Sequence, residues 1–341
     1  MTPMPSQLQI HAAANDDVRS PDLPQLLIIH QPVDFARFES QFSKKFHLLK
    51  AWESPLPLDQ FLMSYAGSVK AMLFRRVNTQ LNADILCQLP ALKLIVTSSA
   101  GVNHIDVVEC RRRGISETNV TNAYSEDVAD MAVGLFIDVY RKISAADRFV
   151  RQGLGTGKRN YPPGNKLGGK RVGIVGLGSI GLEVAKRLEA FGCIISYNSR
   201  SKKPSLSYSF YSNLCELAAN SDALVICCGL TVQTHHIINK EVLSALGREG
   251  VIVNVGRGPV IDEKELVKSL VNREIRGAGL DVFENEPHVP DELLALDNVV
   301  LSPHRAILTP ESMQSSNEVM MANLEAFFSN KPLVTPVLMD D

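Results

Sequence analysis

What this chain lacks narrows its function before any motif is read. No apolar run reaches the ~18 residues needed to cross a bilayer, so no spanning helix is expected. Thirty-five lysines and arginines stand against 37 aspartates and glutamates, a net charge of −2. That balance leaves no basic field for nucleic acid or for an anionic membrane surface. The densest basic run, Arg111-Arg112-Arg113, reads as the solvated face of a helix. The six cysteines, at 87, 110, 193, 215, 227 and 228, form no C-x-x-C pair and sit mostly in apolar segments. Reduced, buried thiols fit that pattern better than a disulfide framework does. Residues 1–22 lack the apolar core of a signal peptide and the acid-poor character of a transit peptide. With Asp16, Asp17, Asp22 and three prolines they read as a disordered tail, and the expected location is the cytoplasm.

What is present begins at Arg171. The run Val172-Gly-Ile-Val175 is β-branched and reads as a buried parallel strand. Gly176, Gly178 and Gly181 follow at G-x-G-x-x-G spacing, and Ile180, Val184, Leu188 and Phe191 then recur at helical intervals. Strand, glycine turn and helix make the unit that holds a dinucleotide pyrophosphate. Gly176 permits the turn, Gly178 lets backbone approach phosphate, and Gly181 lets helix and strand pack. Ser179 and Ile180 open the helix, whose first N–H groups point at the anion. A second strand, Ile194–Asn198, ends at the ribose position, where an acidic residue would select NAD. No carboxylate stands there. Ser199, Arg200, Ser201 and Lys202 suit a 2′-phosphate instead, and the expected cofactor is NADPH/NADP.

At 341 residues the chain suits two domains. Apolar strand-like runs at Leu26–Ile29, Phe46–Leu49, Ala71–Phe74 and Leu94–Thr97 alternate with helical spacing, and a helix is predicted over Phe35–Phe46. Beyond the cofactor motif, Leu224–Cys228, Val251–Val255, Gly277–Phe283 and Val299–Ser302 repeat the pattern. The class is therefore α/β, with parallel sheets covered on both faces. Long helices are predicted over Asp127–Arg141, crossing between domains, and over Glu311–Asn330, returning to the first domain. Between them, a glycine- and proline-rich arm, Gly153–Gly169, is long for a compact domain and suits wrapping around a second subunit. Near Ala100 and Gly101 a strand end passes through glycine into a helix, a place for N–H groups to hold a small carboxylate. Trp52 suits either the substrate cleft or the core.

Arg257, Glu286 and His304 each follow a strand-like segment in the second half, where a parallel doubly wound sheet binds its ligands. Arginine, carboxylate and histidine are together what reduction of a 2-keto acid needs. His235-His236 does not suit a metal, because adjacent side chains diverge and no third ligand stands nearby in the sequence, so no metal is expected.

Four ordered motifs, Gly176-Leu-Gly-Ser-Ile-Gly181, Asn254-Val-Gly-Arg-Gly258, Gly279-Leu-Asp-Val-Phe283 and Ser302-Pro-His304, resemble those of the D-isomer-specific 2-hydroxyacid dehydrogenases. The resemblance runs from about Leu26 to Val337, and within the family it is to plant-type glyoxylate/hydroxypyruvate and hydroxyphenylpyruvate reductases. It implies a flavodoxin-like substrate domain from residues 23–122 and 305–341, with a Rossmann cofactor domain, 123–304, inserted between. It also implies a homodimer built through the cofactor domains. By the same resemblance Arg257 would bind the substrate carboxylate beside the Ala100 and Gly101 N–H groups, and His304 would donate the proton. Glu286 would hold the imidazole and favour its protonated form. Val255, Gly256 and Asp281 would meet the cofactor, Asp281 by orienting the nicotinamide amide. The implied reaction is NADPH-dependent reduction of glyoxylate and hydroxypyruvate. The alternatives are an aromatic keto acid as substrate and, remotely, a cofactor-sensing corepressor. One departure is Arg305-Ala-Ile-Leu-Thr309, where many members carry Gly-Ser-Ala-Thr after the histidine.

Overall fold

The computed structural model describes residues 23–32, 35–75, 80–153 and 161–337. The predicted tail, 1–22, and the first half of the predicted arm lie outside the described residues. Two parallel sheets organise the rest. The first has β1 (Gln25–Ile28), β2 (His47–Lys50), β3 (Ala71–Phe74), β4 (Leu94–Thr97) and β5 (Ser116–Thr118) in the order β2-β1-β3-β4-β5. The second has β6 (Arg171–Val175), β7 (Ile194–Asn198), β8 (Ser209–Phe210), β9 (Ala223–Ile226), β10 (Val251–Asn254), β11 (Gly277–Leu280) and β12 (Val299–Leu301). Its order is β12-β11-β10-β9-β6-β7-β8. These are the flavodoxin-like and Rossmann orders, each reversing direction at a switch point that favours ligand binding.

The strands follow from their composition. In β3, β4, β9, β10 and β11 every residue is buried, as expected of continuous apolar runs covered on both faces. One apolar cluster runs from Leu26, Leu73 and Val96 of the first sheet to Val172, Ile174 and Val253 of the second. The helix Ser125–Arg141 joins them through Val128, Ala132, Leu135, Phe136 and Val139. Glu126 and Asp127 in its first turn and Arg141 in its last suit the helix dipole. Gly279 of β11 lets this helix approach, since a Cβ there would lie 2.9 Å from Leu135 Cβ. Further clusters cover the outer faces of both sheets.

The helix Pro310–Phe328 starts at a capping box of Thr309 and Ser312 and packs against β4. After it, Asn323 Oδ1 accepts the Val334 and Thr335 N–H groups, and the Thr335 hydroxyl donates to the Asn119 carbonyl at 2.6 Å. The segment Val334–Pro336 is thereby tied beside β5. No described helix is long and apolar enough to cross a membrane.

Several local expectations change. The helix from Phe35 ends at Ser43, and by His47 the chain has left it, the His47 N–H donating to the Pro24 carbonyl at 3.0 Å as β2 begins. β5 is a strand that sequence pattern does not signal; Ser-Glu-Thr pairs with β4 through backbone alone. Arg113 is not merely solvated: its guanidinium donates to the carbonyls of Leu86 and Leu89, closing the end of the preceding helix. All six thiols are free, but only Cys110 and Cys193 are buried, and Cys87 is exposed. Trp52 packs edge-on against Phe35, ring centroids 5.9 Å apart, and belongs to the core. Tyr161, Gly164 and Asn165 of the arm lie against the chain's own helices: the Tyr161 ring packs tilted against Phe149, centroids 5.2 Å apart, and the Asn165 N–H donates to the Tyr140 carbonyl.

Candidate active site

The dinucleotide turn is built as its glycines require. Gly176 has φ +94°, a conformation that side chains resist. A Cβ there would also lie 2.7 Å from Cys228 backbone. At Gly181 a Cβ would stand 2.2 Å from the Gly176 carbonyl oxygen, so strand end and helix meet directly. Gly178 is different: a Cβ would meet nothing within 4 Å. It caps the helix Ser179–Ala190 with no side-chain hydrogen bond, which leaves open space before the helix's first N–H groups. An anion fits that space. Burial pushes the Cys228 thiol up to about 11, so it is a protonated spacer rather than a nucleophile. β7 runs beside β6, and its end presents Ser199, Arg200, Ser201 and Lys202 as an exposed or half-buried turn. The Ser199 hydroxyl closes that turn by donating to the Ser201 carbonyl at 2.6 Å. The residues present therefore fit a dinucleotide.

Arg257 is set by the turn after β10. Buried Asn254 accepts the Gly256 N–H at 3.0 Å on Oδ1 and donates from Nδ2 to the Arg257 carbonyl at 3.1 Å. The Arg257 guanidinium donates to the Gly256 carbonyl at 2.7 Å. It extends to the other sheet, where a Cβ on Gly101 would lie 3.0 Å from Arg257 Nη2. Residues 156 positions apart in sequence are thereby neighbours across the domain junction. The N–H groups of Ala100 and Gly101 have no partner among the described residues, and the Ala100 carbonyl accepts from Asn119 Nδ2 at 3.0 Å.

The third group stands at the ends of β11 and β12. His304 Nδ1–H donates to Glu286 Oε2 at 2.8 Å, while Glu286 Oε1 accepts the Phe283 N–H at 3.1 Å. That engagement leaves Nε2 to meet a ligand. His304 has φ +54°, the sparsely populated left-handed region. Asp281 holds it there. Buried at 1% exposure, Asp281 accepts the Ser302 hydroxyl and the N–H groups of Arg305 and Ala306, while its carbonyl accepts the His304 N–H at 2.8 Å. Asp281 therefore acts on the chain that carries the histidine, a task its sequence position did not reveal. Gly258 admits no side chain, because a Cβ would stand 1.9 Å from Phe283 backbone, and this pins the Arg257 turn against the Glu286 loop.

A cleft of about 570 Å³ brings these parts together, within the range usual for small-molecule sites. Ala100, Ile180, Val255, Arg257, Asp281, Glu286 and His304 all contribute to its wall. Gly101 touches Arg257 at its edge, and the ribose-end residues 199–202 stand apart from it, at the far end of the cofactor turn. Two wall residues escaped sequence reading. Tyr124 donates its hydroxyl to the Ser98 carbonyl at 2.7 Å and is pushed up to about 12 by burial. Arg75 follows β3 directly, so the strand-end rule that found Arg257 applied to it as well.

His235-His236 needs correction. The two rings stack, centroids 3.9 Å apart, because His236 takes a left-handed φ of +52°. A third group is also near, from 48 residues further on: His236 Nε2 lies 2.9 Å from Glu284 Oε1. Glu284 in turn accepts the Glu263 N–H and donates its own N–H to Glu263, so the trio is a bonded link between loops.

Comparison with known proteins gives the same picture. The model of the D-isomer specific 2-hydroxyacid dehydrogenase NAD-binding domain matches residues 133–306. A glyoxylate/hydroxypyruvate reductase of Arabidopsis thaliana is 51% identical over 93% of this chain and 98% of its own length. A hydroxyphenylpyruvate reductase of Plectranthus scutellarioides is 46% identical over 88% of this chain and 95% of its own. Among solved structures, an NADPH-dependent glyoxylate/hydroxypyruvate reductase of Sinorhizobium meliloti, in complex with NADP and malonate, superposes with a TM-score of 0.83. It is 34% identical and covers 92% of this chain and 96% of that one. With its turn, its arginine, its carboxylate–histidine pair and these relatives alike, the chain belongs to the D-isomer specific 2-hydroxyacid dehydrogenase family.

Proposed function

We propose that this enzyme reduces small 2-keto acids, glyoxylate and hydroxypyruvate foremost, with NADPH. The observation that carries the reading is the approach of Arg257 to Gly101 in the same cleft as the His304–Glu286 pair. A substrate carboxylate there meets one guanidinium and the N–H groups of Ala100 and Gly101, which fixes the molecule at one end. Arg257 also polarises the keto oxygen as negative charge develops on it. When bound at the glycine turn, the nicotinamide cofactor supplies the hydride. His304 Nε2–H gives its proton to the keto oxygen, and Glu286 on Nδ1 steadies the ring and its charge through the transfer. Val255 and Asp281 line the cleft, and with Gly256, the neighbour of Val255 in the chain, they would hold the nicotinamide end of the cofactor, Asp281 toward its amide.

The cofactor choice rests on Arg200 and its neighbours, which carry no carboxylate and offer cations and hydroxyls to a 2′-phosphate. The bacterial relative crystallised with NADP is consistent with it. Substrate and cofactor units are assigned to residues 23–122 with 305–341 and to 123–304. A homodimer and a cytoplasmic location complete the proposal. The deciding experiment follows NADPH and NADH oxidation with glyoxylate, hydroxypyruvate and 4-hydroxyphenylpyruvate. Higher kcat/KM for the small acids with NADPH supports the reading; preference for the aromatic acid replaces the substrate, and equal use of NADH removes the role given to Arg200.

A further inference from the structure

The sequence speaks against a metal at His235-His236 because adjacent side chains diverge and no third ligand stands nearby in the chain. The fold removes both objections. His236 takes a left-handed φ of +52°, and the two rings stack on one side of the backbone, centroids 3.9 Å apart. Glu284 arrives from the loop after β11, and its Oε1 lies 2.9 Å from His236 Nε2. One ring nitrogen of each histidine and one carboxylate oxygen of Glu284 all lie within 4.8 Å of one another. Among the described residues no other three histidine, cysteine or carboxylate side chains form such a group.

The loops that carry the trio are already fixed. Thr231 and Thr234 bond reciprocally, the N–H of each donating to the hydroxyl of the other at 2.7 and 3.2 Å. The His235 N–H donates to the Thr231 carbonyl at 3.0 Å, and the His236 N–H to the Pro259 carbonyl at 2.8 Å. The histidines thus sit on the loop after β9, tied to the turn after β10. Glu284 Oε2 accepts the Glu263 N–H at 3.3 Å, the kind of outer bond that orients a ligating carboxylate. On the other nitrogen of the His236 ring, Nδ1 stands 4.0 Å from Asp262 Oδ2. A metal-bound imidazole commonly directs its second nitrogen at a carboxylate in this way. No lysine or arginine among the described residues pairs with Glu284 or Asp262, so the negative charge at this junction has no fixed cation beside it.

We propose that His235, His236 and Glu284 form a binding site for a divalent transition metal, zinc foremost, that clips the loop after β9 to the loop after β11. Two imidazoles and one carboxylate suit zinc and its neighbours, whereas magnesium and calcium take oxygen ligands. Ligands held about 2.0–2.1 Å from a tetrahedral zinc ion stand about 3.4 Å apart. Rotation of the exposed His235 ring closes the remaining gap. The ion takes the place of the proton shared by His236 and Glu284, and water fills the open position. None of the three residues lines the cleft, so the inference stands apart from the proposed reductase reaction.

The test titrates zinc into the full chain against a chromophoric chelator, in wild type, His235→Ala and Glu284→Gln. His235→Ala removes an exposed ring that supports no other residue through its side chain except the stacked His236. Glu284→Gln gives up the charge and keeps a hydrogen bond to His236 and to the Glu263 N–H. The wild type should bind one zinc ion per chain with a Kd of about 10 µM or tighter. Each substitution should weaken that binding by about tenfold or more. Saturating zinc should also raise the wild-type Tm and leave that of His235→Ala unmoved, since an ion held only by the folded chain stabilises it. A wild type with no zinc site as tight as about 10 µM overturns the proposal. An affinity unchanged in either variant overturns it as well, because the ion then sits on other side chains.

Discussion

At the scale of single residues, two contacts decide whether the cleft works as proposed. His304 is held by Glu286 through Nδ1 and by the Asp281 carbonyl through its own N–H, so its side chain can be cut back without disturbing its support. His304→Ala should lower kcat by about 10²–10⁴-fold, the worth of a positioned general acid, with an unchanged circular dichroism spectrum. Activity within tenfold of wild type would remove His304 from the proton transfer. Gly101 makes a subtler test. A methyl group there would lie 3.0 Å from Arg257 Nη2, so the guanidinium must give way. Gly101→Ala should raise KM for hydroxypyruvate by roughly tenfold and lower kcat less, since the displaced contact holds the substrate end remote from the proton. Equal KM values in mutant and wild type would dissociate Arg257 from carboxylate binding. Arg257, Glu286 and His304 were all legible in the sequence, because each follows a strand and each belongs to a recognisable motif. Tyr124 was not, and Arg75, though it follows β3 as Arg257 follows β10, belongs to no motif that singles it out. The second task of Asp281 was hidden too, because it depends on backbone groups 24 and 25 residues later.

Elements were legible in proportion to how far periodicity alone determined them. β3 and β4 lie where their apolar runs stand, and β6 and the helix after it follow from three glycines. β5 was missed because a three-residue strand of Ser-Glu-Thr, though Thr118 is buried, contains no apolar run. The Glu286 loop was similarly opaque: Gly277–Phe283 reads as one strand, but pairing stops at Leu280 and the chain turns toward Glu286. The glycine turn after β6 gives the element-scale prediction. Gly181 sits where a Cβ would strike the Gly176 carbonyl at 2.2 Å, so Gly181→Ala must push the helix Ser179–Ala190 from the strand end. Overpacking of this kind costs about 1–3 kcal/mol. The displaced helix start should weaken NADPH binding at least tenfold, measured by fluorescence titration, and lower Tm at the same time. Gly178→Ala is the contrast, since its Cβ meets no protein atom. That variant should keep its Tm while losing affinity for the dinucleotide, because the added methyl group occupies the space assigned to phosphate. A Gly178→Ala protein with full affinity would place the pyrophosphate elsewhere.

The whole molecule raises the question of what covers the helix Ile143–Arg151. Sequence reading ends the crossing helix at Arg141, as observed, and assigns nothing between it and Gly153; there Lys142 turns left-handed at φ +57° and a second helix begins. None of its residues is buried, and Ile143 and Val150 are 53% and 55% exposed. Arg148 and Asp147 are taken up by Asp297 and Arg151, so the polar face is already paired within the chain. Two exposed apolar side chains on one short helix are unremarkable by themselves, since much protein surface is apolar. Here they adjoin the arm, whose described half packs on the same helix through Tyr161 and Phe149, and the proposed dimer gives both a partner. A twofold interface repeats each contact, so paired changes act twice. Ile143→Asp with Val150→Asp should therefore convert a dimer of about twice 37.4 kDa into monomer, read by light scattering on a sizing column. The cleft lies at the domain junction, on residues remote from this helix, so the separated subunit should still bind NADPH with an affinity within a few-fold of the dimer's. A double mutant that elutes unchanged would move the interface off this helix, and a wild type that scatters as a monomer would end the dimer proposal while leaving the cleft's chemistry as argued.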